Sequence, residues 1–430
     1  MGRLVIRHKN QAIPTHSLVL YLLFVLSCFH NVTLISWLIL MPIILIVKYR
    51  KVGALEFLIF LQFRSLLSSG VAVPITGVSG IIKWSVIFLL SIYLLCGSSF
   101  AYSKIVNGII ILVVLFSFAS LVFAWISSSY PMTATLKVLS YCVPFVGIIK
   151  GVSETTEIQW IKKINDLLGI LVLGSSLLLF SSVGFLRNGR FFQGVFNHPN
   201  VYGVMIAIYI AGLYCQEKKL SIKTIIITIA AVVLLYQTKS RTGMISLLLV
   251  IVIFLVTQEI KLAYKLLLIV FTSACIWALL LSSASLITII NDYLFKGGTA
   301  DILSSRSGQI TKNIDRFIAS PIIGTGFNVP YRSEFRSYIV SFDLVTENGN
   351  LFMAILGDVG VLGTILFFLA YIKIFFVGSK SDFILFIIPF SVCMGEMAFF
   401  STNNFAIVLY FYFAIYIVKG IQKRSNVVCT

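Results

Sequence analysis

The sequence predicts an all-α, polytopic transmembrane helical protein of about 14 spans, with 12 as the lower bound. Three observations predict it. Of 430 residues, 59% are hydrophobic and 11% are charged, and the mean hydropathy is +1.02; soluble domains carry about 25% charged residues. The apolar residues fall in runs suited to helices that cross a bilayer. The short alternating segments of a membrane β-barrel are absent. Residues 1–430 read as one membrane domain, with 290–349 as a long outer, periplasmic loop.

Spans are expected near 17–29, 33–47, 53–75, 80–97, 105–126, 134–149, 164–185, 200–215, 224–237, 242–256, 266–289, 350–377, 383–400 and 403–418. Arg3, Arg7 and Lys9 precede the first run in the manner of a signal peptide. No small-residue cleavage site follows, so a retained helix is expected.

Orientation follows from lysine and arginine. With both termini cytoplasmic, every inner segment is basic, whereas outer loops 30–32, 76–79 and 127–133 have no Lys or Arg. Inner segments hold sixteen lysines and four arginines; outer segments hold seven arginines and three lysines. Topology asks only for positive charge inside. Outer arginine needs another reason, and its planar fork suits phosphate and carboxylate. The net charge of +18 is scattered between apolar runs, which argues against nucleic acid as a partner. Seven singly placed cysteines show no metal or redox spacing, so no metal or cofactor is expected.

The outer arginines fall in three groups. Arg187 and Arg190 precede FFQGVFNHP, with His198 and Asn200 opening the next run. Lys239 and Arg241 lie in a tight turn between two short runs, which puts Arg241 close to or below the outer membrane surface. The alternative is a side chain that snorkels to the headgroups. Arg306 and Arg316 belong to 304–320, expected as an interfacial amphipathic helix. Ser304 or Ser305 caps it and Pro321 ends it. Leu303, Ile310, Ile314, Phe317 and Ile318 form its apolar face, expected to lie on the membrane; Arg306, Gln309, Asn313 and Arg316 form the opposite one. Glu347 is a candidate general base or an arginine's partner. Glu56, Arg64 and Glu396 interrupt apolar runs, as substrate-path charges or as structural pairs.

Three stretches together resemble the bacterial O-antigen polymerase and ligase superfamily. They are RFFQGVFNHPNVYG at 190–203, SRTG at 240–243, and SSRSGQITKNIDRFIASPIIGTGFN followed by NLFMAILGDVGVLG at 350–363. The resemblance covers about residues 180–375 and implies an inverting membrane glycosyltransferase-like fold, metal-independent and without a cofactor. Arg190, Arg241 and Arg306 would be catalytic, bound to a lipid pyrophosphate, with Glu347 as base. Arg187, Arg316, His198, Asn200, Lys239 and Asn350 would bind substrate. Where ligases of the family carry His-Asn, this chain has Gly349-Asn350, which favours the polymerase branch.

The implied activity is growth of a surface polysaccharide on the outer face of the bacterial cytoplasmic membrane. The substrate would be an oligosaccharide on undecaprenyl pyrophosphate, with membrane lipid and a chain-length regulator as candidate partners. The alternatives are a ligase that moves finished glycan to lipid A core and, in a different class, a lipid-linked oligosaccharide flippase. A flippase should show related halves, and no internal repeat is visible.

Overall fold

The computed structural model describes residues 15–96, 104–186, 189–217, 221–257, 304–341 and 348–428. The expected span at 266–289 lies outside the described residues. Among them the chain is helical, with one isolated bridge between Leu67 and Phe196. Among the described residues, seven helical stretches are long and apolar enough to cross a membrane, with Asn31–Ser65 counted as one and Trp160–Phe180 as one, and two shorter apolar helices accompany them. The chain is an integral membrane protein.

In order, the helices are α1 (Thr15–Leu26), α2 (Asn31–Ser65), α3 (Gly77–Leu95), α4 (Lys104–Ser127), α5 (Pro131–Glu154), α6 (Trp160–Gly174), α7 (Pro199–Gln216), α8 (Ile222–Thr238), α9 (Arg241–Thr257), α10 (Ser304–Ala319), α11 (Leu351–Val377), α12 (Phe383–Cys393) and α13 (Ala406–Val428). The expected span 53–75 stops at Ser65. The following stretch carries Ser68, Ser69, Gly70 and Pro74, and Leu67 leaves the helix to bridge Phe196. The expected span 164–185 stops at Gly174 and continues as two 3-10 turns, Ser175–Phe180 and Ser182–Phe185. The expected span 383–400 stops at Cys393.

Helix α2 is a hairpin. Arg50 has φ 52 and ψ −127, which reverses the chain. A Cβ on Gly53 would lie 2.1 Å from the Leu45 carbonyl oxygen, although a straight helix separates these residues by about 12 Å. Trp37 and Phe57 stack across the turn with ring centroids 4.7 Å apart. The hairpin gives two antiparallel legs, in the positions of the expected runs 33–47 and 53–75.

Helix α11, expected as one continuous span, is broken. Gly360 sits at φ 64 and ψ −168, a region closed to other residues. Each half of a broken helix leaves backbone groups without intrahelical partners. The Pro321–Gly326 turn threads between the halves and supplies them. Thr325 N–H and Gly326 N–H donate to the carbonyls of Gly357 and Asp358 (both 3.0 Å). Val361 N–H and Leu362 N–H donate to Pro321 and Ile322 (2.9 and 3.1 Å).

Lysines expected on the inner side gather at one end of the bundle. Lys51 pairs with Glu154, and Lys163 with Glu56. Asp382 accepts from Lys419 at 2.8 Å and Lys423 at 3.0 Å. The end of α13 meets the end of α5, where Val418 and Gln422 share a small cleft with Ser153 and Thr156. Glu56 is therefore one half of a structural pair. Arg64, fully buried, donates to Ser27 and to the Val73 carbonyl (2.7 Å), tying the top of α2 to its flanking loops.

Two outcomes follow. Gly360→Ala should lower the thermal unfolding temperature in detergent sharply, because the positive φ costs about 1–3 kcal/mol and the new Cβ would lie 2.4 Å from the Ile322 carbonyl carbon. Burial pushes the Asp382 carboxyl up, but Lys419 and Lys423 outweigh it and hold it below its ordinary 3.8. Its stabilising contribution is then fully present above about pH 4 and is lost as pH falls through the lower, folded value. Asp382→Asn should flatten that acid limb of the unfolding temperature against pH.

Candidate functional site

Two constellations occupy the end of the bundle opposite the lysine pairs. The first assembles around the α8–α9 turn. Helix α8 ends with Lys239 in the left-handed conformation (φ 53, ψ 29), and its ammonium lies 4.2 Å from the Tyr236 ring centroid. Ser240 follows and its Oγ accepts from Gly243 N–H at 3.2 Å, a side-chain bond that starts α9 at Arg241. Arg241 is half-buried.

Helix α7 packs directly on this turn. A Cβ on Gly243 would lie 2.6 Å from the Gly203 carbonyl, and one on Gly203 would lie 2.4 Å from Ser240 Cβ. Small residues on both helices allow that approach. The start of α7 is capped by His198, whose Nδ1 accepts from Asn200 N–H at 3.0 Å, with Pro199 at the first helical position. His198 is thereby committed through Nδ1 to the cap. Asn200 Nδ2 donates to Glu396 Oε1 at 2.7 Å. Gly395, next to Glu396, packs on Thr242, next to Arg241; a Cβ there would lie 1.9 Å from Thr242 Oγ1. Phe192 N–H donates to the Gln237 carbonyl at 3.1 Å, which ties the loop just after the exposed Arg190 to the end of α8.

The structure thus brings together Arg190, His198, Asn200, Lys239 and Arg241, which lie in two separate stretches of sequence. Sequence reasoning left Glu396 open between substrate path and structural pair. Its bond to Asn200 is what joins the α12–α13 loop to this cluster. Arg187 and Glu347 lie outside the described residues. So does the side chain of Arg306, whose position falls within α10.

The second constellation surrounds α10. This helix is amphipathic as expected, but its polar stripe is what packs on the protein. Asn313 and Arg316 are buried, whereas Ile314 and Ile318 are exposed, Ile318 at 68%. Arg316 Nε donates to Thr325 Oγ1 (2.9 Å), Nη2 to the Gly326 carbonyl (2.9 Å), and Nη1 to Asn348 Oδ1 (3.4 Å). Its Nη2 also lies 2.6 Å from Asp358 Oδ1. Asp358 Oδ2 accepts from Asn328 N–H at 2.8 Å. A guanidinium has five N–H donors. These four contacts turn Arg316 inward, onto the turn that fills the break in α11.

Asn350 has a structural task too. Its Oδ1 accepts from Phe352 and Met353 N–H (3.0 and 3.2 Å) and starts α11. Gly349 before it has φ 63, and a Cβ there would lie 2.1 Å from Gln309 Oε1 on α10. Position 349 faces the Gln309 side chain on the polar stripe of α10.

Residues 225–368 match the family model described as O-antigen ligase. The match takes in the Ser240–Gly243 turn, α10, the Pro321–Gly326 turn and the break in α11. It supports the O-antigen polymerase and ligase superfamily for this chain. No curated protein matches the chain.

Removing one partner of a buried pair costs about 3–5 kcal/mol, because it strands the other charge. Arg316→Ala and Asp358→Ala should therefore both lose folded protein on size exclusion in detergent. Arg241→Ala, at a half-buried position on the turn, should elute and melt like the wild type.

Proposed function

We propose that the chain is a polysaccharide polymerase of the bacterial cytoplasmic membrane. It transfers a glycan from undecaprenyl pyrophosphate to the next lipid-linked repeat unit, on the outer face. The observation that carries this reading is that the loop holding Arg190, the start of α7 with Asn200, and Glu396 all pack near the α8–α9 turn that carries Lys239 and Arg241, at the end of the bundle away from the lysine–carboxylate pairs. The family match supports a membrane glycosyltransferase-type enzyme acting on lipid-linked glycans.

The chemistry suits these groups. The acceptor hydroxyl oxygen bonds to the anomeric carbon as the bond from that carbon to the pyrophosphate oxygen breaks. The electron pair leaves on the pyrophosphate, and the configuration inverts. The hydroxyl proton passes to a carboxylate, for which Glu347 is the proposed base. Negative charge grows on the leaving pyrophosphate. Arginines held by a fixed turn stabilise it without reorganising, and most strongly where water is excluded. Arg190 and Arg241 take that role, with Arg306 as the third. Asn200, oriented by Glu396, is a polar contact beside them.

The polymerase branch is favoured over the ligase at one position. Gly349 stands where ligases carry the histidine, and its positive φ suits glycine and strains other side chains there. A flippase would need no leaving-group stabilisation, so a grouping of arginines at one end of the bundle favours transfer over transport.

Arg241→Ala and Arg306→Ala should each abolish long polysaccharide while single repeats remain attached to the core, read as the ladder on a gel. Normal ladders from both would sink the assignment. Arg241→Lys should fail as well, because an ammonium cannot make the paired hydrogen bonds. Full activity of the lysine variant would reduce the role to charge alone.

A further inference from the structure

Three basic residues belong neither to the inner set nor to the outer arginine groups: Arg64, Lys83 and Lys137. Arg64 is spent on backbone carbonyls. Lys83 stands on the wall of a cleft of about 1340 Å³. The cleft opens between the outer part of α3, the loop after α2, Leu186, Gln193 and Asn197, and Val340 and Ser341 of the outer segment.

Its lining combines three chemistries. Ser68, Thr76, Ser85, Gln193, Asn197 and Asn403 offer neutral hydroxyls and amides. Trp84 and Phe88, one turn apart on α3, present aromatic rings. Ile81 and Leu89, at 69% and 66% exposure, carry the wall out to the apolar surface of the bundle. Among the described residues lining it there is one lysine and no carboxylate. Lys83 is 94% buried; its ammonium donates to Asn403 Oδ1 and lies 5.2 Å from the Trp84 ring centroid. A cation within a spanning helix is costly and marks a polar path.

The cleft and the candidate site draw on the same two chain segments. Asn197 adjoins His198, and Asn403 lies on the same α12–α13 loop as Glu396. Its volume exceeds the usual small-molecule range of about 300–1,000 Å³, which leaves room for several sugar rings.

We propose, resting on the glycosyl-transfer reading above, that this cleft is the acceptor site. It holds the lipid-linked glycan that supplies the attacking hydroxyl, with Lys83 on a phosphate of its anchor and Trp84 and Phe88 against sugar faces. The division of labour follows from charge. The donor's pyrophosphate gains negative charge in the transition state and needs the fixed, forked donors of arginine. The acceptor's phosphate keeps its charge throughout, and a point charge suffices to hold it.

The experiment is a titration of undecaprenyl pyrophosphate into the purified full chain in phosphatidylcholine nanodiscs, read by native mass spectrometry. The wild type should take up two equivalents. Lys83→Gln and Ser85→Trp, the second filling the cleft from an exposed position, should each take up one. Arg241→Ala should take up the other one, and Arg241→Ala with Lys83→Gln none. In turnover assays Lys83→Gln should raise the acceptor KM about tenfold, the scale of one charge-assisted hydrogen bond, with kcat little changed; Arg241→Ala should collapse kcat. A single equivalent in the wild type, lost with Arg241→Ala and indifferent to Lys83→Gln and Ser85→Trp, overturns the acceptor site and leaves the transfer reading standing. No uptake sensitive to Arg241 overturns the transfer reading itself. Displacement of the Lys83-dependent equivalent by an equal amount of phosphatidylglycerol makes the cleft an ordinary phospholipid site and also overturns the proposal.

Discussion

A helix interrupted at membrane depth must have its freed backbone groups satisfied by protein, since hydrocarbon offers none. The break at Gly360 in α11 imposes that condition, and the Pro321–Gly326 turn meets it from both sides. The turn is itself held by Arg316, which reaches Thr325, Gly326, Asn348 and Asp358 at once. Arg316 is supplied by α10, so the helix docks with its polar stripe inward and its isoleucines outward. Beyond the turn, the segment 332–339 is held separately by Ser129 and Thr133, whose hydroxyls donate to the carbonyls of Arg332 and Ile339.

A second constraint sorts the charges. Four of the lysines expected inside are paired with carboxylates: Lys51 with Glu154, Lys163 with Glu56, and Lys419 and Lys423 with Asp382. Arg64 and Arg316, deep in the bundle, are turned onto backbone carbonyls or a carboxylate. Arg241 starts a helix fixed by close contact with α7 and the α12–α13 loop, the kind of preorganisation that the proposed leaving-group stabilisation would draw on.

Much of this was legible in the residues, and the rest was hidden for physical reasons. Hydropathy separates the two legs of the α2 hairpin because Lys48, Arg50 and Lys51 interrupt it. The bounds of α10 follow from its serines and Pro321, and the family match agrees with the resemblance of the arginine stretches. Averaged hydropathy does not locate the break in α11, because the run 351–377 stays apolar on average although Gly357, Asp358, Gly360 and Gly363 interrupt it; the dihedrals of Gly360 record the break. An amphipathic pattern gives two faces but not which one meets lipid, so the inward turn of Arg316 was invisible. Lys83 was absorbed into a span by its apolar neighbours. The signal that would have found it is that no topological role remains for it once the inner and outer basic residues are assigned.

The central claim is that arginines at one end of the bundle hold a lipid pyrophosphate while its glycan is transferred to a second lipid-linked glycan. The most direct measurement is reconstitution of the purified chain in liposomes with a single lipid-linked repeat unit, followed by quantification of both products. The account predicts longer lipid-linked chains and one undecaprenyl pyrophosphate released for each linkage formed. Movement of intact repeat units across the bilayer without chain growth would contradict it.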